Sequence, residues 1–268
     1  MRVNYVVTIF NSQATLGSIL DGIVKCHKYD GTIYTVLDGC TDGSEQVVDN
    51  RIKTFPNVHF VKLYTPNVHE IGALNAAYTR ILSDGVADYN FTVQDDDILD
   101  EPDLEDIVDN LYKRFKDRLG YLAFRIGTNI KISDDTVVYE NLAENFYHYG
   151  SGVPVKPYNL VWRMLAVKSP ACVPGFLLEK LGLIDEDLKP HMCDDHDYSL
   201  RAMKLGYENL MFPIHIITKI EWGASRRYVS HDTPYLHQRN LKILVNKHGD
   251  FIRNYKIPEY MRTGLPYE

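Results

Sequence analysis

The sequence predicts an α/β fold built on a mostly parallel sheet with helices packed against it. Over residues 1–99, short β-rich runs alternate with apolar residues at helical spacing, the pattern of strands joined by helical crossovers. The apolar run at residues 89–93 then breaks off into the polar stretch Gln94-Asp95-Asp96-Asp97, as a strand does on leaving a sheet. At 268 residues and 45% apolar content the chain is long enough for one large α/β domain.

The elements follow in order. Residues 4–10 are β-rich, and Leu16, Ile19, Leu20, Ile23 and Val24 then repeat at helical spacing, with Ser12 placed as N-cap. The alternation continues as strand 32–37, helix 44–54, strand 58–63, helix 71–82 and strand 89–93. Leu104, Ile107, Val108, Leu111 and Phe115 mark another helix, entered through Asp100-Glu101-Pro102, where a proline suits the first turn. Residues 120–168 read as irregular and strand-like, and Tyr147, His148, Tyr149, Gly150, Gly152, Pro154 and Pro157 mark a loop aromatic enough to line a site. Helices are expected at 174–181, 196–205 and 235–248, with strand-like text at 209–220.

Composition excludes several classes. Net charge is −7 and the basic residues are scattered, so no stripe exists for a nucleic-acid backbone. Cys26, Cys40, Cys172 and Cys193 form no C-x-x-C pair, which argues against a zinc ribbon or a disulfide framework and fits a reducing cytoplasm. No apolar run reaches membrane-spanning length, and no signal-peptide core follows Met1, so the expectation is a soluble protein, or at most one associated with a membrane surface.

In an open parallel sheet the ligand sits where the loops leave the carboxyl ends of the strands. The loops at Thr8, Phe10 and Asn11, at residues 38–44 and at residues 94–97 should therefore face one crevice. Three adjacent carboxylates repel one another, and an oxygen-rich cluster of this kind suits Mg²⁺ or Mn²⁺. Helix-dipole complementarity is the alternative reading, but Asp100, Glu101 and Asp103 already supply it. Asp38 ends a strand ahead of two glycines, free to meet a nucleobase or ribose, whereas Asp42 with Glu45 has capping-box spacing. Asp194, Asp195 and Asp197 open a helix that needs only one cap, so a carboxylate there is a candidate general base. His196 reads as a surface or packing residue, and His215, His231 and His237 each as able to reach a metal but more ordinarily as polar surface. Gly72, Ala73, Ala76 and Ala77 make a small-residue helix that lets the sheet, or a bound diphosphate, approach closely.

In this order, over residues 4–207, these segments resemble the family 2 glycosyltransferases of the GT-A fold. Asp38-Gly39-Cys40-Thr41-Asp42-Gly43-Ser44 is close to the family's D-G-S-T-D-G-T motif, Gln94-Asp95-Asp96-Asp97 occupies the place of its D-x-D, and Asp194-Asp195-His196-Asp197-Tyr198 is similar to its E-D-x-D-L segment. The resemblance implies a single GT-A domain with a Rossmann-like sheet, residues 1–99 binding the nucleotide sugar and 100–268 the acceptor. It implies a nucleotide-diphosphate-sugar donor, a UDP-sugar first, met by Thr8, Phe10, Asn11, Asp38, Gly72, Asn75, Gln94 and Asp95. A metal, Mn²⁺ or Mg²⁺, would lie at Asp96 and Asp97, and Asp195 or Asp194 would deprotonate the acceptor, a glycan, lipid-linked sugar or other hydroxyl, with inversion at C1. Gln94 stands where the first D-x-D aspartate is expected, which leaves the metal ligand open among Asp95, Asp96 and Asp97. Without a Q-x-x-R-W motif, a single-addition enzyme is expected rather than a processive synthase.

Two other readings compete. A sugar-phosphate nucleotidyltransferase needs a glycine-rich loop after the first strand, where Phe10-Asn11-Ser12-Gln13-Ala14-Thr15 has none. A non-catalytic sugar- or nucleotide-binding module would have no use for the acids at 194–197.

Overall fold

Every residue of strand β1 (Val3–Ile9) except Thr8 is buried, the burial of a strand covered on both faces. The computed structural model, which describes residues 1–147, 150, 152–167, 169–218 and 233–263, places it inside an eight-stranded sheet. Helix α1 (Gln13–Cys26) leads to β2 (Ile33–Asp38), α2 (Ser44–Thr54) to β3 (Phe60–Thr65), and α3 (His69–Asp84) to β4 (Tyr89–Gln94). These four strands are parallel, with Ile9 opposite Leu37, Asp38 opposite Thr65 and Thr8 opposite Gln94. That register puts Thr8, Asp38 and Gln94 at one rim of the sheet.

The second half extends the sheet beyond β4. A short β5 (Asp97–Leu99) and α4 (Leu104–Phe115) precede β6 (Leu119–Ala123), and a hairpin of β7 (Ile126–Ser133) and β8 (Thr136–Asn145) follows. Next come β9 (Val153–Val155), β10 (Val161–Arg163), β11 (Leu165–Val167), β12 (Ala171–Pro174), α5 (Gly175–Leu181), α6 (Asp194–Lys204), β13 (Glu208–Met211) and β14 (Ile216–Thr218). Two C-terminal helices, α7 (Thr233–Asn254) and α8 (Glu259–Thr263), complete the described residues. The sheet runs β10-β13-β6-β12-β4-β1-β2-β3, with β12 antiparallel to both β4 and β6; β7, β8, β9 and β11 form a second sheet, and β5 pairs with β14.

One face of the large sheet buries Leu16, Ile19, Leu20 and Ile23 of α1 and Leu104 and Val108 of α4, and the other buries Ile71, Ala77 and Ile81 of α3 with Leu177 of α5 and Tyr198 of α6. Each fully buried Leu or Ile contributes about 1.5–3 kcal/mol by transfer from water. A third cluster fastens the hairpin to α6 and α7 through Ile130, Leu200, Met203 and Leu244.

Several expectations shift. Ser12 stands at the N-cap of α1 but its side chain makes no cap bond; the hydroxyl turns to Asp95 instead. Helix α4 starts at Leu104 with Asp103 as N-cap, so Pro102 precedes the helix rather than opening it. The expected dipole acids have other work: Asp100 pairs with Lys25, Asp103 with Lys28, and Glu101 accepts from the Tyr158 hydroxyl. The reading of His231, of residues 219–220 and of His148 and Tyr149 lies outside the described residues.

Candidate active site

The loops leaving β1, β2, β3 and β4 enclose a crevice of about 1060 Å³, closed on its far side by the start of α6 and by Leu236 and His237 of α7. Thr8, Phe10, Asp38, Gln94, Asp95, Asp96, Asp194 and Asp195 all line it, so the three loops and the start of α6 meet at one crevice.

The rim loops are braced from within. Asp38 is buried at the end of β2, and its Oδ1 accepts from the Thr65 hydroxyl and from the Val68 amide, both at 2.7 Å. Gly39 follows with φ +62°, and a Cβ there would come within 2.7 Å of the Asn67 Cβ, so only glycine lets the two loops close up. The expected capping box does not form: Gly43 is the N-cap of α2, Asp42 just before it accepts from the amide of Ser44 at 2.9 Å, and Glu45 turns away to Lys62 and Tyr64. Asp95 Oδ2 accepts from the Phe10 amide at 3.3 Å and from the Ser12 hydroxyl, which ties the acidic turn to the loop after β1.

The three adjacent aspartates part company. Asp97 is fully buried and takes both its oxygens to Arg125 Nη1, at 2.8 and 3.1 Å, which withdraws it from the metal role expected for it. Asp96 lines the crevice, and its Oδ1 is buried with no hydrogen-bond partner among the described residues. Among the described residues no three His, Cys, Asp or Glu side chains are gathered to hold a metal unaided.

Three other expected donor contacts do not line the crevice. Asn11 Oδ1 accepts from the amides of Thr41 and Asp42 at 2.8 and 3.3 Å and so braces the loop behind the crevice wall. Gly72 faces Val68, where a Cβ would meet that side chain at 2.7 Å. Asn75 is buried and clamps the backbone of Ile184, donating to its carbonyl at 2.9 Å and accepting from its amide at 2.8 Å. An Asn75→Ala variant, leaving that buried amide and carbonyl unpaired, is expected to lose about 1–3 kcal/mol in denaturant unfolding with donor affinity unchanged. A fall in donor affinity at full stability would restore a ligand role for Asn75.

Helix α6 begins at Asp194, two residues ahead of the expected start, after Met192 and Cys193 with φ of 80° and 63°. That left-handed pair is held by buried Asn240 of α7, whose Nδ2 donates to the carbonyls of Leu188, His191 and Met192 at 2.8–3.0 Å. Within α6 the acids divide. Burial pushes Asp197 up, but His248 at 2.8 Å and Arg201 at 2.7 Å outweigh it and hold the carboxyl below its usual range, which makes it structural. Burial, then Asp195 and Glu70 nearby, push the Asp194 carboxyl well above the ordinary range.

Residues the sequence did not single out complete the wall. Glu70, partly exposed, is pushed up to about 7 by desolvation in the crevice, with Asp195, Asp96 and Asp95 adding to the rise and a bond from Gln94 opposing it. One carboxyl thus senses both acidic clusters, which puts them in a single electrostatic site. Asn67, on the loop after β3, and His69, the first residue of α3, leave the sheet at the same rim as the three expected loops and are legible by the same rule. Arg125, Tyr121 and His191 carry no such signal. Conversely, the aromatic loop expected to line a site does not reach the crevice among the described residues: Tyr147 and Tyr158 pack on His215 instead.

This architecture is the GT-A glycosyltransferase fold. Mannosyltransferase PcManGT from Pyrobaculum calidifontis, in complex with GDP-Man and Mn²⁺, matches with a TM-score of 0.61 at 17% identity over 97% of this chain and 66% of its own. S. aureus TarS 1-349 in complex with UDP-GlcNAc matches with a TM-score of 0.61 at 17% identity over 94% of this chain and 70% of its own. GalNAc-T7 with UDP, GalNAc and Mn²⁺ matches with a TM-score of 0.66 at 14% identity, and the chain spans half of its length. The model of glycosyl transferase family 2 matches residues 5–177, and the chain belongs to that family. No curated protein matches it in sequence.

Proposed function

We propose that the chain transfers a sugar from a nucleotide-diphosphate donor, a UDP-sugar first, to a hydroxyl of a glycan, lipid-linked sugar or similar acceptor, one residue at a time and with inversion at C1. The observation that carries this reading is Asp96 Oδ1, a buried carboxylate oxygen without a hydrogen-bond partner among the described residues, at the rim where β1, β2 and β4 end. Leaving such an atom unpaired costs roughly 1–3 kcal/mol or more, and a cation bound to it offsets that cost. Asp96 would hold Mn²⁺ or Mg²⁺ there, and the ion would supply positive charge against the charge that grows on the leaving diphosphate. Nucleotide ligands in all three related structures, and Mn²⁺ in two, support the same reading.

Residues 1–99 then supply the donor contacts, with Asp38 against the nucleoside, and residues 100–268 the acceptor side. Asp195 is the base: it takes the acceptor hydroxyl proton as the new oxygen–carbon bond forms at C1 and the bond to the diphosphate breaks. Asp194, its carboxyl pushed up by burial and by Asp195 beside it, is the less suited of the two to that role. None of the four cysteines is paired, and we read the location as cytoplasmic. No helix among the described residues is long and apolar enough to cross a membrane.

The test is a thermal-shift panel of UDP-, GDP-, dTDP- and CMP-sugars with and without Mn²⁺. One nucleotide class is expected to stabilise the chain only with metal, by about 2.7 kcal/mol at a hundredfold excess over Kd. Asp96→Ala should abolish that metal-dependent increment. A panel without any shift would sink the reading.

A further inference from the structure

His196 lies on α6 beside the base, and its ring is not a packing filler. Its Nδ1 stands 2.5 Å from Asp195 Oδ1, which also accepts from the His196 backbone amide at 2.8 Å. Its Nε2 stands 3.0 Å from the hydroxyl of Tyr139 on β8, and the same hydroxyl is 3.1 Å from Nε2 of His237 on α7. The Tyr139 ring meets His196 edge-on at 89° and stacks on His237 at 17°. Three elements far apart in sequence thus join their polar tips in one line that ends on a single oxygen of the base.

Hydrogen-bonding capacity fixes how the line is wired. An ionised carboxylate only accepts, so His196 Nδ1 must carry the proton and donate to Asp195. In a neutral ring Nε2 then accepts, which obliges the Tyr139 hydroxyl to donate to it; that oxygen in turn accepts from His237 Nε2. Each contact in the line then pairs one donor with one acceptor. Burial works the same way, pushing the Tyr139 hydroxyl up and His237 down, each toward its neutral form.

We propose that His196 is a positioning residue for Asp195, fixing the carboxylate through Nδ1, and that Tyr139 and His237 lock the ring in the tautomer this requires. The inference rests on the sugar-transfer reading and names the device that orients its base. Without the bond from His196 Nδ1 the carboxylate keeps the backbone amide at 2.8 Å but loses the ring that fixes its orientation, so the donor still binds but the acceptor proton meets a base in the wrong place. The β7–β8 hairpin and α7 thereby act on the reaction through one hydroxyl.

Substitutions at 196 separate the two ends of the ring. An asparagine places its amide N–H near Nδ1 and keeps the bond to Asp195, whereas a glutamine reaches toward Tyr139 and loses it. With the donor and metal found in the panel, kcat is expected to fall about ten- to a hundredfold in His196→Ala and His196→Gln, the usual cost of losing an outer orienting partner, and to recover most of the loss in His196→Asn. Tyr139→Phe should give a smaller fall, and KM for the donor should not move in any of them. Equal kcat in the asparagine and glutamine variants, or a glutamine variant that outperforms the asparagine one, overturns the inference while the transfer reading stands. No sugar transfer by the unaltered chain with any donor overturns both. A change confined to KM or to melting temperature assigns His196 to packing and overturns the inference alone.

Discussion

An Asp195→Asn variant is expected to lose about 10²- to 10⁴-fold in kcat, the range that a positioned general base contributes, while its metal-dependent thermal shift with the donor stays intact. Asparagine matches aspartate in size and can still meet the His196 backbone amide, which donates to Asp195 Oδ1 at 2.8 Å, so the fold and the donor half of the crevice are undisturbed. The loss should fall on the chemical step alone, because the proton of the acceptor hydroxyl has no place to go. Asp194→Asn is the matched control. Since burial and Asp195 push the Asp194 carboxyl up, toward its neutral form, a neutral amide is a close replacement there and kcat should change by less than about tenfold. If Asp194→Asn removes activity and Asp195→Asn does not, the two roles are reversed. Full activity in both would leave the chain with no base at this position and overturn the assignment of Asp195.

Arg125→Ala is expected to destabilise the protein by about 3–5 kcal/mol, because it strands a buried carboxylate. Arg125 and Asp97 are 3% and 0% exposed in their side chains, and their bonds run at 2.8 and 3.1 Å. Burial already drives Asp97 up to about 7 against the pull of Arg125, so without the guanidinium the carboxyl is left to take a proton or draw in water. For a chain of this size the melting temperature should drop by on the order of 10 °C. The pair also fixes the turn that carries Asp95 and Asp96, since Asp97 opens β5 and β5 is held by β14. A double variant, Arg125→Leu with Asp97→Leu, should therefore regain much of the stability by removing both charges, yet show a weaker metal-dependent shift than the unaltered chain. A melting temperature for Arg125→Ala within about 2 °C of the original would mean that the pair contributes less than 1 kcal/mol and does not anchor the turn.

The parallel half was readable because its signals are local. Alternating strand and helix text over residues 1–99 matched β1 to β4 and α1 to α3 within a few residues, since an element buried on a defined face must show the period of that face. The acids at 194–197 were readable as an excess over what one helix start needs. Beyond residue 119 the strands from β6 to β11 were legible only as irregular text: several are three residues long, too short to show a period, and β12 enters the sheet antiparallel between β4 and β6.

At the site itself the division falls within a single run of residues. Sequence alone determined that Gln94-Asp95-Asp96-Asp97 leaves the fourth strand at the rim shared with Asp38, because strand order and side-chain chemistry are written locally and adjacent like charges ask for a counter-charge. Which charge answers which aspartate was decided by tertiary structure alone. Ser12 and the Phe10 amide take Asp95, Arg125 takes Asp97, and Asp96 keeps an unpartnered oxygen among the described residues. The physical reason is that a carboxylate is committed by whichever donor the fold brings within about 3 Å, and Arg125, 28 positions along the chain, reaches Asp97 only after β5, β6 and β7 have packed. The same holds for the proposed base, where the choice between Asp194 and Asp195 turns on burial and on His196, Tyr139 and His237, three residues whose meeting no local pattern records.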